Sequence, residues 1–268
     1  MLMPTSPGIV VHKNTNASID HSNASEGYIT VKYYSDPNKR CKLNIKSGGH
    51  AQNFDVPSDG TPKVYPLCFE DGIYTISVFR QIKDTRYETI AILTINVVLR
   101  DFRAPFLYPN TYCTFTPASD CVRIAADICR NTKTDADRLG IIYRWIIDNV
   151  EYDRELAKKI ITGEIKWWLP DPDGVIAAKK SICFGYASLF AAMCRSQGIP
   201  CKIAVGRVNG QGLHAWNSVY SETSGVFDKI PIKAKAWTRI DVTFMDTSRG
   251  QAADFVLKDD NYPVEYHG

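Results

Sequence analysis

The sequence predicts an α+β protein in which an antiparallel β-sandwich precedes a domain of helices packed on an antiparallel sheet. Between residues 27 and 100, apolar and polar residues alternate in short runs separated by turn signals such as Asp71-Gly72, which is typical of antiparallel strands. After residue 119 the apolar residues recur at helical spacing, and strand-like runs return only after residue 200. Strands and helices that are segregated along the chain in this way favour an α+β architecture.

The chain divides into three segments by composition. Residues 1–26 are rich in Ser, Asn, Thr and His without a basic start followed by an apolar run, so we expect a flexible polar lead-in and no intact signal peptide. Residues 27–105 are expected to form the β-sandwich. It holds no catalytic constellation, which favours a packing or substrate-presenting role. Residues 106–268 are expected to form the catalytic domain, entered through the proline-containing connector at 101–110.

Helices are predicted over residues 119–130, 134–149 and 153–161. Thr134 precedes acidic residues, which is a helix-start signal, and Gly163 ends the last of the three helices. Apolar residues that recur at helical spacing more often face a core than a cofactor. In the second helix this buried stripe is expected to contain Leu139, Ile142, Trp145 and Ile146.

A helix that begins at or beside Cys183 is the central element of the second half. Ser181 is its predicted N-cap, and Gly198 ends the run of apolar residues that follows. The free N–H groups and the positive dipole end at a helix start stabilise a thiolate, which is the form that a nucleophile needs. Taken alone, Cys183 is also consistent with a small buried apolar residue.

Two strand-like runs after this helix carry the other candidate residues. His214 lies in the run 213–220 and Asp241 in the run 236–244, and neighbouring strands bring such side chains together. A thiol nucleophile needs a base, and imidazole titrates in the right range. A carboxylate then holds the imidazole tautomer and stabilises its cation. Without a shared role, each of the three residues would need its own separate structural explanation. We therefore expect Cys183, His214 and Asp241 to form a catalytic triad.

Several other classes of function are excluded by composition. The net charge of +3 is small and the basic residues are interspersed with acidic ones, so we predict no nucleic-acid partner. No apolar run approaches the roughly 18 residues that a bilayer span needs, so no membrane span is predicted. The eight cysteines contain no C-x-x-C pair, and residues 171–174 lack the later acidic ligands of a calcium loop. We therefore predict no metal and no cofactor.

Four stretches carry a family resemblance: Cys183-Phe-Gly-Tyr-Ala-Ser-Leu, Gln197-Gly-Ile-Pro-Cys-Lys-Ile-Ala-Val-Gly206, His214-Ala-Trp-Asn-Ser-Val-Tyr220 and Trp237-Thr-Arg-Ile-Asp-Val-Thr-Phe244. Together they resemble the transglutaminase-like superfamily, in particular its bacterial-type cysteine protease and transglutaminase cores. The resemblance covers roughly residues 110 to 250. It implies a papain-like or transglutaminase-like core, and the first half resembles the β-domains often found ahead of such cores.

The resemblance assigns Cys183 as the nucleophile, His214 as the base and acid, and Asp241 as the orienting carboxylate. The backbone N–H of Cys183 is then the natural first donor to an oxyanion. One departure is visible, because the family usually has glycine where this chain has Ser181.

Tryptophans supply the remaining candidate site residues. Family members often donate an upstream indole N–H to the oxyanion, so the resemblance implies Trp168 or Trp167 in that position. Trp216 lies two residues after His214, on the same strand face, and is expected to shield the imidazole or contact substrate.

The predicted activity is thiol-dependent acyl transfer, with hydrolysis of peptide or related amide bonds through a thioester. Hydrolysis is favoured because no calcium motif or cross-linking apparatus is visible. Two alternatives stay open: a transglutaminase that forms Gln–Lys isopeptide bonds, and a non-catalytic module that binds peptide or cell-wall material. A protein, peptide or cell-wall peptide is the expected partner. An extracellular or cell-surface location is expected because a polar lead-in commonly follows a removed export signal.

Overall fold

The structure is a computed structural model that describes residues 1–165, 168–208, 212–248, 253–262 and 264–267. The chain divides into two compact units. One is Pro4–Pro105, and the other is Phe106–Gly268 together with Met1–Met3. Each unit has its own buried apolar core.

The Pro4–Pro105 unit consists of two four-stranded antiparallel sheets. Its strands are β1 (Val11–Lys13), β2 (Ala17–Asp20), β3 (Tyr28–Tyr33), β4 (Cys41–Ser47), β5 (His50–Val56), β6 (Lys63–Pro66), β7 (Gly72–Lys83) and β8 (Arg86–Val97). One sheet has the order β1-β2-β3-β6, and the other has the order β5-β4-β7-β8.

The two sheets of this unit bury side chains against each other, which makes it a sandwich. Alternate residues of β4 and β5 are buried, as expected for strands with one face on a core. Tyr65 from one sheet meets Phe54 from the other edge to face, with ring centroids 5.2 Å apart. The Tyr65 hydroxyl donates to the carbonyl of Asp55 at 2.9 Å, so the buried phenol is satisfied.

The segment 1–26 corrects the sequence-based expectation, because it contains two strands and is not a flexible lead-in throughout. β2 pairs with β3 in the register Ile19↔Val31, and β1 continues the sheet outward. Ala17 and Ile19 are buried in the sandwich core. These two apolar residues, alternating within a polar segment, are a short strand pattern that the Ser- and Asn-rich composition obscures.

The second unit combines helices with antiparallel strands. Its helices are α1 (Asp120–Cys129), α2 (Asp135–Asn149), α3 (Arg154–Ile161), α4 (Pro172–Ala178), α5 (Cys183–Ser196), α6 (Val242–Thr247) and α7 (Ala253–Leu257). Its strands are β9 (Glu151–Tyr152), β10 (Lys180–Ser181), β11 (Cys201–Val208), β12 (Gly212–Ser221), β13 (Gly225–Phe227), β14 (Ile230–Ile232), β15 (Ala236–Ile240) and β16 (Val264–His267). The main sheet has the order β15-β12-β11-β16, and β9 pairs with β10 in parallel.

The predicted start of α2 is confirmed. Thr134 Oγ1 accepts the backbone N–H of Asp137 at 3.1 Å, and the Asp137 carboxylate accepts the backbone N–H of Thr134 at 3.1 Å. This reciprocal pair satisfies two donors that a helix start otherwise leaves free. Leu139, Ile142 and Ile146 are fully buried, as their spacing predicts, whereas Trp145 from the same predicted stripe is only half-buried.

Helix α5 is the centre of the second unit. Every residue from Gly185 to Ser196 is buried, and the helix packs on strands β11 and β12. The buried Arg195 guanidinium donates to the carbonyls of Tyr108 and Cys201, at 2.7 to 3.0 Å. The start of α5 is therefore held in place by a body that is packed on all sides.

The observed α+β architecture confirms the predicted fold class, with a sheet-rich N-terminal region followed by helices on an antiparallel sheet. Within the described parts of the chain, no helix has the length and apolar character needed to cross a bilayer.

Candidate active site

Cys183 is the first residue of α5, and its side chain is half-buried. The predicted cap is wrong, because Ile182 occupies the N-cap position without a side-chain hydrogen bond and Ser181 belongs to β10. No side chain therefore competes at the N-cap for the first-turn N–H groups. Those groups and the positive dipole end can stabilise an anionic sulfur and an oxygen beside it.

The approach to Cys183 is fixed by backbone pairing and close packing. The Asp153 N–H donates to the Ser181 carbonyl at 2.8 Å, as part of the pairing between β9 and β10. The Ser181 side chain lies against Gly185, one turn into the helix. A Cβ on Gly185 would overlap Ser181 and come within 3.1 Å of Val175 Cγ2. Glycine is required there because the chain approaches the helix so closely.

His214 lies in β12, and only 6% of its side chain is exposed. Its Nε2 lies 2.8 Å from Asp241 Oδ2. The Cys183 side chain lies close enough to the His214 ring to raise the pKa of the imidazole. Because Nε2 is engaged by the carboxylate, Nδ1 is the ring nitrogen left for the thiol.

Asp241 is completely buried and is the N-cap of α6. This corrects its predicted place within a strand, because β15 ends one residue earlier at Ile240. Its Oδ1 accepts the Phe244 N–H at 3.0 Å, while its Oδ2 accepts from His214. The same carboxylate therefore starts a helix and orients the imidazole.

The charge of this pair follows from its surroundings. Burial alone lowers the pKa of His214, but the Asp241 charge, its hydrogen bond and the Cys183 side chain together raise that pKa to about 10. At neutral pH the imidazole is therefore held as its cation beside Cys183. An imidazolium next to a sulfur favours the thiolate, since it neutralises the negative charge.

Aromatic rings enclose the imidazole. The Phe244 ring stacks on His214 with centroids 4.3 Å apart and an angle of 7° between the planes. Trp216 is buried and stacks at 6.2 Å, consistent with the expected shielding of His214. Rings at these distances exclude water from the imidazole and restrict its rotation.

The other two tryptophan candidates have different outcomes. Trp168 is half-buried, and its ring meets Phe184 edge to face with centroids 6.3 Å apart. This places Trp168 next to the residue that follows Cys183. Trp167 lies outside the described residues.

Two tyrosines that the sequence analysis does not name as site residues lie beside the candidate triad. The Tyr262 hydroxyl donates to Asp241 Oδ2 at 2.8 Å. Burial raises the pKa of the Tyr152 phenol, and the nearby Cys183 side chain raises it further. Tyr152 is the last residue of the stretch Trp145-Ile-Ile-Asp-Asn-Val-Glu-Tyr152, whose sequence resembles the upstream helix of the transglutaminase-like family and is the one signal for it. Tyr262 follows no motif.

No group of three or more His, Cys, Asp and Glu side chains in the described segments is arranged to hold a metal ion.

The geometry defines a class of site, in which a thiol at a helix start meets an imidazole held by a buried carboxylate. The family model named Transglutaminase-like superfamily matches residues 122–242, which include Cys183, His214 and Asp241. The chain therefore contains a transglutaminase-like domain.

Individual relatives are similar over part of the chain. The Kyphoscoliosis peptidase of Homo sapiens is 31% identical over 147 residues, which is 51% of this chain and 21% of the relative. That of Mus musculus is 31% identical over 118 residues, which is 40% of this chain and 17% of the relative. These matches thus span only about a fifth of the curated relatives.

A similar solved structure is that of a candidate cysteine protease from Cytophaga hutchinsonii. It is 14% identical, covers 97% of this chain and 74% of its own, and has a TM-score of 0.46.

Proposed function

We propose that this protein is a thiol-dependent acyl-transfer enzyme that hydrolyses peptide or related amide bonds. The observation that carries the proposal is the convergence of three side chains: His214 Nε2 lies 2.8 Å from Asp241 Oδ2, and the Cys183 side chain is close enough to raise the pKa of His214. Its members come from a helix start, a strand and a helix cap, which are far apart in sequence. Such a convergence has the geometric roles of a nucleophile, a base and an orienting group.

The proposed reaction begins with attack of Cys183 Sγ on the amide carbonyl carbon. The carbonyl electron pair moves to oxygen, where the first-turn N–H of Cys183 donates to the oxyanion. The intermediate collapses to a thioester, and the leaving nitrogen takes its proton from His214. His214 then removes a proton from water, which attacks the thioester and releases the acid and the Cys183 thiolate, so that the imidazolium–thiolate pair is restored. Asp241 stabilises the imidazolium in both steps.

Hydrolysis is proposed ahead of cross-linking because the human relative, 31% identical over the matched region, is named a peptidase. In cross-linking, a lysine amine replaces water as the acceptor. The non-catalytic binding alternative is disfavoured by the proximity of the three side chains.

The first test is alkylation by iodoacetamide between pH 5 and pH 9, with peptide mapping of all eight cysteines. At pH 6.5 only about 1% of an ordinary thiol is ionised. We therefore expect Cys183 to react about 100-fold faster than an ordinary exposed thiol at that pH, and His214→Ala to abolish the difference. Equal reactivity of Cys183 in the two proteins would contradict the proposal.

The acceptor is tested with casein and a fluorescent primary amine, with Cys183→Ala as the blank. Hydrolysis predicts new peptide termini without amine incorporation. Incorporation that outpaces cleavage would identify the protein as a cross-linking enzyme, and no Cys183-dependent product of either kind would favour the binding module.

A further inference from the structure

The C-terminal segment supplies a contact to the candidate triad from beyond the matched family region. Tyr262 follows α7 and lies 20 residues past the end of the match at residue 242. Its hydroxyl is 2.8 Å from Asp241 Oδ2, the same oxygen that lies 2.8 Å from His214 Nε2. With the Phe244 N–H on Oδ1, three donors converge on one buried carboxylate.

Packing alone explains the ring of Tyr262 but not its hydroxyl. The residue is 2% exposed, and its ring meets Trp216 edge to face with centroids 5.0 Å apart. The guanidinium of Arg239 lies 4.5 Å from the ring centroid. A phenylalanine would keep these ring contacts. The hydroxyl is therefore the part of Tyr262 that needs a separate role.

We propose that Tyr262 is a positioning residue of the candidate triad, whose phenol shares the Asp241 oxygen used by His214 and so sets how tightly Asp241 holds the imidazolium. This inference rests on the proposed function for its catalytic meaning. Tyr262 touches no substrate and acts only through Asp241.

The electrostatics of the site support this role. Burial raises the pKa of Tyr262 above its ordinary value, and the Asp241 charge raises it further, so the phenol stays protonated and remains a donor. Among the described residues, the charged groups with the largest effect on His214 are Asp241 and Cys183, and those with the largest effect on Tyr262 are Asp241 and Arg239. The other residues that pack around the pair contribute uncharged rings: Trp216, Phe244 and Phe255.

Asp241 Oδ2 has two partners, the Tyr262 hydroxyl and the His214 ring. When the hydroxyl is removed, His214 is the one that remains. A hydrogen bond to a carboxylate offsets part of its negative charge, so its loss strengthens the attraction between Asp241 and the imidazolium. His214 then gives up its proton at a higher pH. A purely structural role of Tyr262 would lower stability without moving this titration in a definite direction.

The test is the titration of the His214 ring by ¹⁵N NMR from pH 6 to about pH 12 in the wild type and Tyr262→Phe, with the resonance assigned through His214→Gln. We expect the midpoint to rise by about half a pH unit in Tyr262→Phe, which is about a threefold change in the imidazolium-to-imidazole ratio. Tyr65→Phe removes another buried phenol hydrogen bond in the other unit and should leave the titration unchanged. An unchanged or lowered midpoint in Tyr262→Phe would overturn the proposal.

A second variant keeps the test open if Tyr262→Phe does not fold. Site-specific 3-fluorotyrosine at position 262 retains the ring and makes the phenol a stronger donor, so the midpoint should fall; a rise would contradict the inference. These titrations need no substrate, so they test the positioning role separately from the proposed function. Slow alkylation of Cys183 together with shifted His214 midpoints would refute the proposed enzyme activity and support the positioning role. Fast alkylation of Cys183 with an unshifted His214 midpoint would support the proposed enzyme activity and refute the positioning role.

Discussion

The His214–Asp241 half of the candidate site is enclosed, whereas the Cys183 half is partly exposed at the start of a helix. His214 and Asp241 are 6% and 0% exposed and are fixed by hydrogen bonds and stacked rings. Cys183 is half-buried at the first position of α5. The imidazole is thus held by its environment, while the thiol remains accessible.

This difference separates two requirements of the proposed acyl transfer. A substrate carbonyl must reach the sulfur, so the sulfur stays at a surface. The imidazolium must persist in a water-poor site, which requires a buried counter-charge with its own donors. We therefore expect substitutions in the two halves to have unequal effects on folding although both abolish activity.

The largest expected effect on stability is that of Asp241→Ala. It leaves the donors of His214, Tyr262 and the Phe244 backbone without an acceptor. We expect the free energy of unfolding to fall by about 3–5 kcal/mol, as when one partner of a buried ion pair is removed. Urea denaturation measures this, with Cys183→Ala as the matched variant. A loss in Cys183→Ala as large as that in Asp241→Ala would refute the comparison.

A smaller loss is expected from Gly185→Ala, which tests the packing that fixes Cys183. The added methyl group overlaps the Ser181 side chain, and overpacking of this kind costs about 1–3 kcal/mol. Alkylation of Cys183 should slow as the helix start shifts. The double variant Ser181→Gly/Gly185→Ala removes the overlap, so it should recover most of the lost stability. If it recovers none, the contact between Ser181 and Gly185 is not the cause.

The pH dependence of stability tests the enclosed half directly. The pKa of His214 is raised from 6.5 to about 10 on folding, so the stabilisation by the imidazolium is complete below about pH 6.5. It is lost as the pH rises towards 10. The stability difference between wild type and His214→Gln should therefore shrink between pH 6 and pH 10, as measured by urea midpoints. A constant or growing difference contradicts the raised pKa.

The smallest effect is expected outside the site, at the exposed ion pair between Arg144 and Asp228, 3.3 Å apart. Pairs of this kind contribute about 0–1 kcal/mol because water screens them. Arg144→Gln should change the unfolding free energy by less than about 1 kcal/mol. It should leave the alkylation rate of Cys183 unchanged. This result would show that the changes expected from the other variants are specific to the candidate site.

Local signals and tertiary contacts differ in how far they can be predicted from the sequence. The cap at Thr134 and the helix that begins at Cys183 follow from nearby residues, and the fold class follows from periodicity. The cap at Ser181 is wrong because pairing between β10 and β9 draws that residue into a strand. The strand predicted over 236–244 is too long, because Asp241 caps the helix α6. The β-branched residues of that helix, such as Val242 and Thr243, have a strand-like pattern that hides it in the sequence.

The candidate site is predicted only where a motif marks it. Cys183, His214 and Asp241 stand in recognisable stretches, and their roles stay predictions that the proposed experiments test. Tyr262 has no such signal, because its importance depends on a single hydrogen bond formed across a tertiary fold. The strands in segment 1–26 are missed for a related reason, since their few apolar residues gain meaning only beside β3.

The double task of Asp241 has a consequence for how descendants of this protein would diverge. Since its carboxylate both begins α6 and holds His214, a lineage that lost the proposed activity would still be selected to keep it for folding. Cys183 is under no such constraint, because a small residue fits equally well at a helix start. In a degenerate copy the cysteine would therefore be replaced first. Retention of the aspartate says little about activity, while retention of the cysteine says much.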